Sequence, residues 1–172
     1  MEFIQQVSSE GGKNSPIDVE ESGEILFKND QKLKWTYLKP DYKVFLLEGN
    51  QYRFYDEDNE QLTIGKIKDW SRQWIWQLLF SDDVFRYASS KDEGSKKIVR
   101  ILNKKDSLDI EITVDSDFLP TRMVQVDASD ARMIYIFKNY RQNVVITDDA
   151  FQLKIPPGVD VVNEEENENP GK

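Results

Sequence analysis

The sequence predicts a mainly β protein, built from consecutive antiparallel hairpins in one large, strongly bent sheet or barrel. Three observations predict it. Apolar and polar residues alternate with a period of two over most of the chain. Turn-forming residues separate the alternating runs at short, even intervals. Only one stretch carries helical spacing instead. In the clearest runs, Leu33, Trp35 and Tyr37 alternate with Lys32, Lys34 and Thr36, and Leu108, Ile110, Ile112 and Val114 alternate with Asp109, Glu111 and Thr113. Each run places one face in an apolar setting and the other in water.

Taken in order, strands are expected at 19–28, around Leu33–Tyr37, and at 43–48, 51–56, 61–66, 84–88, 97–103, 108–114, 122–127, 131–138 and 151–155. Asn29-Asp30, Lys39-Pro40-Asp41, Glu48-Gly49-Asn50, the stretch 56–59, Asp115-Ser116-Asp117 and Ser129-Asp130 supply the turns between them. The exception runs over 69–80. Asp69 has the chemistry of an N-cap, and Trp70, Trp74, Ile75, Leu78 and Leu79 fall on one side of a helix. Such a helix either packs on the sheet, covers a ligand cavity or lies on a membrane surface. Its single basic residue, Arg72, in an acidic chain argues against the last.

Composition removes several function classes. The 172 residues fit one domain with a sizeable core and include neither Cys nor His. Thiol or imidazole catalysis, disulfides and Cys/His zinc sites are therefore excluded within this chain. A net charge of −9, from 23 basic and 32 acidic residues, disfavours nucleic acid and anionic lipid as partners. Mean hydropathy is −0.66 and no apolar run is long enough to span a bilayer, so a soluble protein is expected. No P-loop or Gly-rich dinucleotide motif is present. The acidic run from Asp56 to Glu60 has Gln61 where a calcium loop needs Gly, and reads as a hairpin turn. Asp115/Asp117 and Asp148/Asp149 read as turn caps rather than a glycosidase pair. No enzyme, metal or cofactor is expected. Residues 1–162 form the expected single domain, and 163–172, rich in Glu, an acidic disordered tail. Met1–Gln6 carry no basic or long apolar segment, so an export signal is expected upstream of Phe3 if the protein is exported.

An all-β chain with one short helix raises a burial question, because an apolar sheet face must be covered by something. Either side chains fill the interior, or the sheet keeps an apolar concavity. Aromatics such as Trp35, Phe45, Phe54, Tyr135 and Phe137 suit both arrangements.

Several motifs carry a resemblance. Ser22-Gly23-Glu24-Ile25-Leu26-Phe27-Lys28, Leu33-Lys34-Trp35-Thr36-Tyr37, Lys39-Pro40, Glu48-Gly49 and Phe54-Tyr55-Asp56 occur in the order and spacing found in the LolA-type outer-membrane lipoprotein carriers. Phe3 and Gln5 resemble that family's N-terminal Phe-x-Gln strand. Phe151-Gln152-Leu153-Lys154-Ile155-Pro156-Pro157-Gly158-Val159-Asp160-Val161 resembles its C-terminal signature. The resemblance covers residues 3–162. It implies an unclosed antiparallel β-barrel, a half barrel whose concave apolar face is covered by a short helical lid. It also implies a periplasmic carrier that shuttles the acyl chains of lipoproteins from the inner to the outer membrane. The partners it implies are acylated lipoproteins, an inner-membrane lipoprotein-releasing ABC transporter and an outer-membrane receptor, with the carrier a monomer. At the position of the family's lid-latching Arg this chain has Asn29, so the latch does not carry over.

The inward, acyl-contacting set expected on this reading is Leu33, Trp35, Phe45, Tyr52, Phe54, Ile110, Ile112, Met133, Tyr135 and Phe137, with Trp74 and Leu78 from the lid. The Met133/Tyr135/Phe137 face is chosen because the alternate face carries Arg132 and Lys138. A carboxylate placed at Leu33 or Phe45 is expected to leave the fold largely intact and to weaken acyl binding. The alternatives are a lipid- or glycolipid-binding sensor or receptor of the same fold, and a structural interaction module with a filled core.

Overall fold

A computed structural model describes residues 1–9, 16–28, 32–67, 86–103, 108–127 and 129–164. Among these, twelve strands form one sheet: β1 (Glu2–Ser8), β2 (Val19–Lys28), β3 (Lys32–Lys39), β4 (Lys43–Glu48), β5 (Gln51–Asp56), β6 (Gln61–Lys66), β7 (Ala88–Glu93), β8 (Lys96–Asn103), β9 (Leu108–Val114), β10 (Pro120–Val126), β11 (Arg132–Lys138) and β12 (Asp160–Asn163). The order β12-β6-β5-β4-β3-β2-β1-β11-β10-β9-β8-β7 has two ends, β12 and β7, and the sheet is unclosed. The mainly β, unclosed architecture expected from the sequence is the one observed. The helix over 69–80 and the turn at Asn29-Asp30 lie outside the described residues.

Contacts divide the chain into two compact units. The first comprises Met1–Glu2, Ser22–Lys68 and Tyr140–Lys172. Its hairpins β3–β4 and β4–β5 follow the alternation residue by residue, with Trp35 opposite Phe45 and Phe45 opposite Phe54. Gly49 closes the β4–β5 turn at φ +61°, a left-handed conformation that a Cβ would strain. At the β5–β6 turn the Asp56 carboxylate accepts from the backbone N–H and side-chain amide of Asn59, the hairpin role expected of that acidic run. The other face of these strands is also apolar, with Val44, Leu46 and Tyr55 buried. Phe151, 2% exposed, ends a 3-10 turn at Asp148–Phe151. Lys34 Nζ, on β3, donates to the carbonyls of Ala150 and Gln152 at 3.1 and 2.8 Å.

Two expectations are corrected. The strand expected at 151–155 is absent; a 3-10 turn ends at Phe151, and the strand of this region is Asp160–Asn163, parallel to β6. Pro156 and Pro157 offer no N–H to a ladder, and Lys34 takes up carbonyls that a neighbouring strand would otherwise use. The parallel pairing also departs from consecutive hairpins. β12 reaches Asn163, the first residue assigned to the tail.

The second unit comprises Phe3–Glu21 and Asp69–Asn139. It contains β7–β11 joined as successive antiparallel pairs. Asp115 Oδ1 accepts from the amides of Asp117 and Leu119 in the β9–β10 turn. Asp127 Oδ1 accepts from the Ser129 amide and hydroxyl and from the Ala131 amide in the next. The Ser129 bonds hold the Asp127 carboxyl below its ordinary pKa. Of the strand expected at 84–88, residues 84 and 85 lie outside the described residues, and the rest is corrected here: Arg86 and Tyr87 lie in a 3-10 turn, and β7 begins at Ala88. β7 reads ASSKDE, mostly exposed, and lies at the end of the sheet. An edge strand of this kind buries no face, so no alternation marks it.

Candidate functional site

Register turns the alternation into surfaces. Directly paired residues of neighbouring strands point to the same face, so the ladders of the first unit can be followed strand by strand. One row runs Phe27–Leu33–Leu47–Tyr52–Gly65 across β2 to β6, and a second runs Ile25–Trp35–Phe45–Phe54–Thr63 beside it. The next row on that face is Gly23–Tyr37–Lys43–Asp56–Gln61, where polar groups take over. The five expected residues Leu33, Trp35, Phe45, Tyr52 and Phe54 therefore share one face and form a contiguous apolar panel. Leu33 and Leu47 are at 0% exposure, Ile25 and Trp35 are buried, and Phe45, Tyr52 and Phe54 are half-buried.

The aromatic rings in the panel pack as pairs. Phe45 and Tyr52 stack with centroids 5.5 Å apart and planes at 17°, while Trp35 stacks on Tyr37 at 6.3 Å. The Tyr52 hydroxyl donates to the Glu164 carboxylate. Burial, and then that carboxylate, push the tyrosine pKa up, which keeps the hydroxyl protonated as a donor.

The second unit builds a comparable face. One row is Ala88–Ile101–Ile110–Gln125–Met133, and the next is Ser90–Val99–Ile112–Met123–Tyr135. Phe137, two residues beyond Tyr135, lies on the same side, and their rings stack at 6.1 Å with planes at 4°. Ile110, Ile112, Met133, Tyr135 and Phe137 are thus brought together as expected. Ile110, Tyr135 and Phe137 are buried, and Ile112 and Met133 half-buried. A half-open cleft of about 140 Å³ opens between Val7, Gln125, Asp127, Ala131, Arg132 and Met133. That is well below the roughly 300–1,000 Å³ of ordinary ligand sites, so the extended faces rather than this cleft are the candidate surface. Trp74, Leu78 and Asn29 lie outside the described residues.

Four buried hydrophobic side chains of these faces are not in the expected set: Ile25, Leu47, Ile101 and Met123. Leu47 is next to Leu46 and Ile101 next to Leu102, and both neighbours are apolar, so alternation there does not choose a side. Ile25 lies in an expected strand, and its spacing to Phe27 is the available signal. Met123 lies between Arg122 and Val124, and its partner Tyr135 identifies its face only once the register is known.

Comparison with known proteins settles the family. The profile described as outer membrane lipoprotein carrier protein LolA matches residues 1–154. This chain belongs to the LolA family. Relatives named outer-membrane lipoprotein carrier protein include one from Nitrosomonas europaea, 26% identical over 159 residues, with 88% of this chain and 77% of the relative covered. A Pseudomonas putida relative of the same name is 28% identical over 152 residues, covering 84% and 73%. One from Pasteurella multocida is 25% identical over 163 residues, covering 93% and 78%. In structure, a conserved protein of Thermus thermophilus superposes with a TM-score of 0.56 at 13% identity, over 95% of this chain and 91% of that one, and shares the fold. LolA-family proteins are carriers and not enzymes.

Proposed function

We propose that this chain carries the acyl chains of lipoproteins on the apolar faces of its sheet, moving them through the periplasm from the inner to the outer membrane. The two apolar rows of the first unit carry the reading. They offer a continuous stretch of aromatic and aliphatic side chains with Phe45, Tyr52 and Phe54 only half-buried. A chain of methylenes gains about 0.8 kcal/mol for each one buried and asks for no directional partner, which suits such a surface. The carrier names of the family relatives point the same way.

On this reading Leu33, Trp35, Phe45, Tyr52 and Phe54, with Ile110, Ile112, Met133, Tyr135 and Phe137, contact acyl chains, and the tryptophan-rich stretch with Trp74 and Leu78 acts as lid. The lid is held without the family's Arg, since Asn29 stands at that position and the adjacent Lys28 pairs with Asp148 at 3.2 Å. A lipoprotein-releasing ABC transporter loads the carrier and an outer-membrane receptor unloads it, the carrier acting as a monomer. Among the described residues no helix is long and apolar enough to cross a membrane.

Native mass spectrometry of the protein recovered from its own cell envelope tests the proposal. A bound acylated protein or lipid is the expected result. A protein that emerges empty, and whose tryptophan emission does not move on titration with an acylated lipopeptide, would refute it.

A further inference from the structure

The panel of the first unit ends in an unusual way at β6. The first row meets Gly65, which has no side chain, and the second meets Thr63. Gly65 does not have a positive φ, so the backbone does not demand glycine there. The demand comes from Tyr52: a Cβ on Gly65 would lie 2.8 Å from its Cε1, Cζ and hydroxyl oxygen. The ring is laid over β6 into the space that a side chain would fill. From there its hydroxyl reaches Glu164, the residue after β12, and β12 is held on β6 in register from Asp160 opposite Gln61 to Asn163 opposite Ile64. Tyr52 is thus stacked on Phe45 on one side and tied to a carboxylate on the other.

We infer that Glu164 is a positioning residue whose bond to Tyr52 sets where the apolar panel ends, and so sets the length of acyl chain that the panel accepts. The inference rests on the acyl-carrying function proposed above. The row from Phe27 to Gly65 crosses five strands spaced about 4.8 Å apart, and beyond its far end stands the polar side chain of Glu164, which accepts from the Tyr52 hydroxyl. A methylene that advanced past Tyr52 would displace water from that carboxylate without replacing its hydrogen bonds, which is unfavourable. The tether also stops the ring from swinging off Gly65 to open a longer path. A contact serving stability alone would have no effect on which chain length binds best.

The test uses Tyr52→Phe, which keeps the ring and its stack and removes the tether, and Glu164→Ala, which removes the carboxylate. Both sites lie at the margin of the panel, so both variants are expected to fold. Saturated fatty acids from decanoate to stearate are titrated against each protein, following tryptophan emission. Wild-type affinity should rise by about fourfold per methylene, the fold-change equivalent to about 0.8 kcal/mol, and then stop rising. In both variants the rise should continue to longer chains, so that the longest acids gain at least fourfold over wild type, and in Glu164→Ala the shortest are unchanged. Separately, the ring resonances of Tyr52 in ligand-free protein, assigned by their loss in Tyr52→Phe, should shift in Glu164→Ala. Binding that persists with the same break point in all three proteins overturns the inference and leaves the carrier reading standing. Unshifted Tyr52 resonances overturn the positioning role. A wild-type protein that binds none of the acids refutes the carrier reading, and the inference falls with it.

Discussion

Leu33 and Phe45 lie on the same face, yet the structure separates what a charge would do at each. Leu33 is at 0% exposure, whereas Phe45 is half-buried. A carboxylate at Leu33 would be a buried charge without a partner, costing about 3–5 kcal/mol against a domain stability of about 5–15 kcal/mol. Leu33→Glu should therefore lower Tm by roughly 6–20 °C or prevent folding. This corrects the expectation that either substitution would spare the fold. Phe45→Glu can turn its carboxylate to water. It forfeits part of the roughly 1.5–3 kcal/mol that full burial of the ring would contribute, so a loss of about 1 kcal/mol and 2–4 °C is expected. An acyl chain lying over the panel would have to desolvate that carboxylate, and affinity should drop by at least about tenfold, or 1.4 kcal/mol. Thermal unfolding by circular dichroism measures the first effect. Titration with an acylated lipopeptide measures the second, and Trp35 is well placed to report it because it pairs directly with Phe45. The reasoning is refuted if Phe45→Glu unfolds as completely as Leu33→Glu, which would describe a filled core, or if it stays folded and binds as the wild type does.

Two further predictions concern the C-terminal segment of the first unit. Hydrogen bonds from Lys32, at 3.0 Å, and Lys28, at 3.2 Å, hold the Asp148 carboxyl below its ordinary value of 3.8. A depressed carboxyl pKa contributes stability that is fully present above the ordinary value and is lost as pH falls below it, through the folded-state value. Asp148→Asn should accordingly lower Tm at neutral pH, with the gap to wild type closing in acid; a gap independent of pH would show that the ion pairs do not contribute. Lys34→Met removes the ammonium that binds the Ala150 and Gln152 carbonyls, at an expected cost of about 1–2 kcal/mol. Hydrogen exchange should quicken at the amides of Ala150 and Gln152, which close the same turn, and unchanged protection there would contradict the clamp.

β4 is apolar from Val44 to Leu47 and is bounded only by its turns, whereas alternation made β3 and β9 legible, because a strand with one buried face cannot slip by a residue without turning every side chain over. For the same reason it placed Leu33, Trp35, Phe45, Tyr52 and Phe54 together, and Ile110, Ile112, Met133, Tyr135 and Phe137 together. The acidic turns were legible too, since Asp115 and Asp127 bind backbone groups only a few residues away. Other features depend on distant partners. β12 pairs with a strand about a hundred residues earlier, and four residues of ladder leave no periodic trace. Asp148 sits at a turn as expected, but its carboxylate reaches Lys28 and Lys32, which no local pattern announces. Gly65 looks like a weak point in a strand until the Tyr52 ring is seen lying over it. The period of a sequence states which side chains share a face, because that follows from the pleat of each strand. Which of them are sealed and which stay open, as Leu33 differs from Phe45, depends on what packs above the face, and only the tertiary structure decides that.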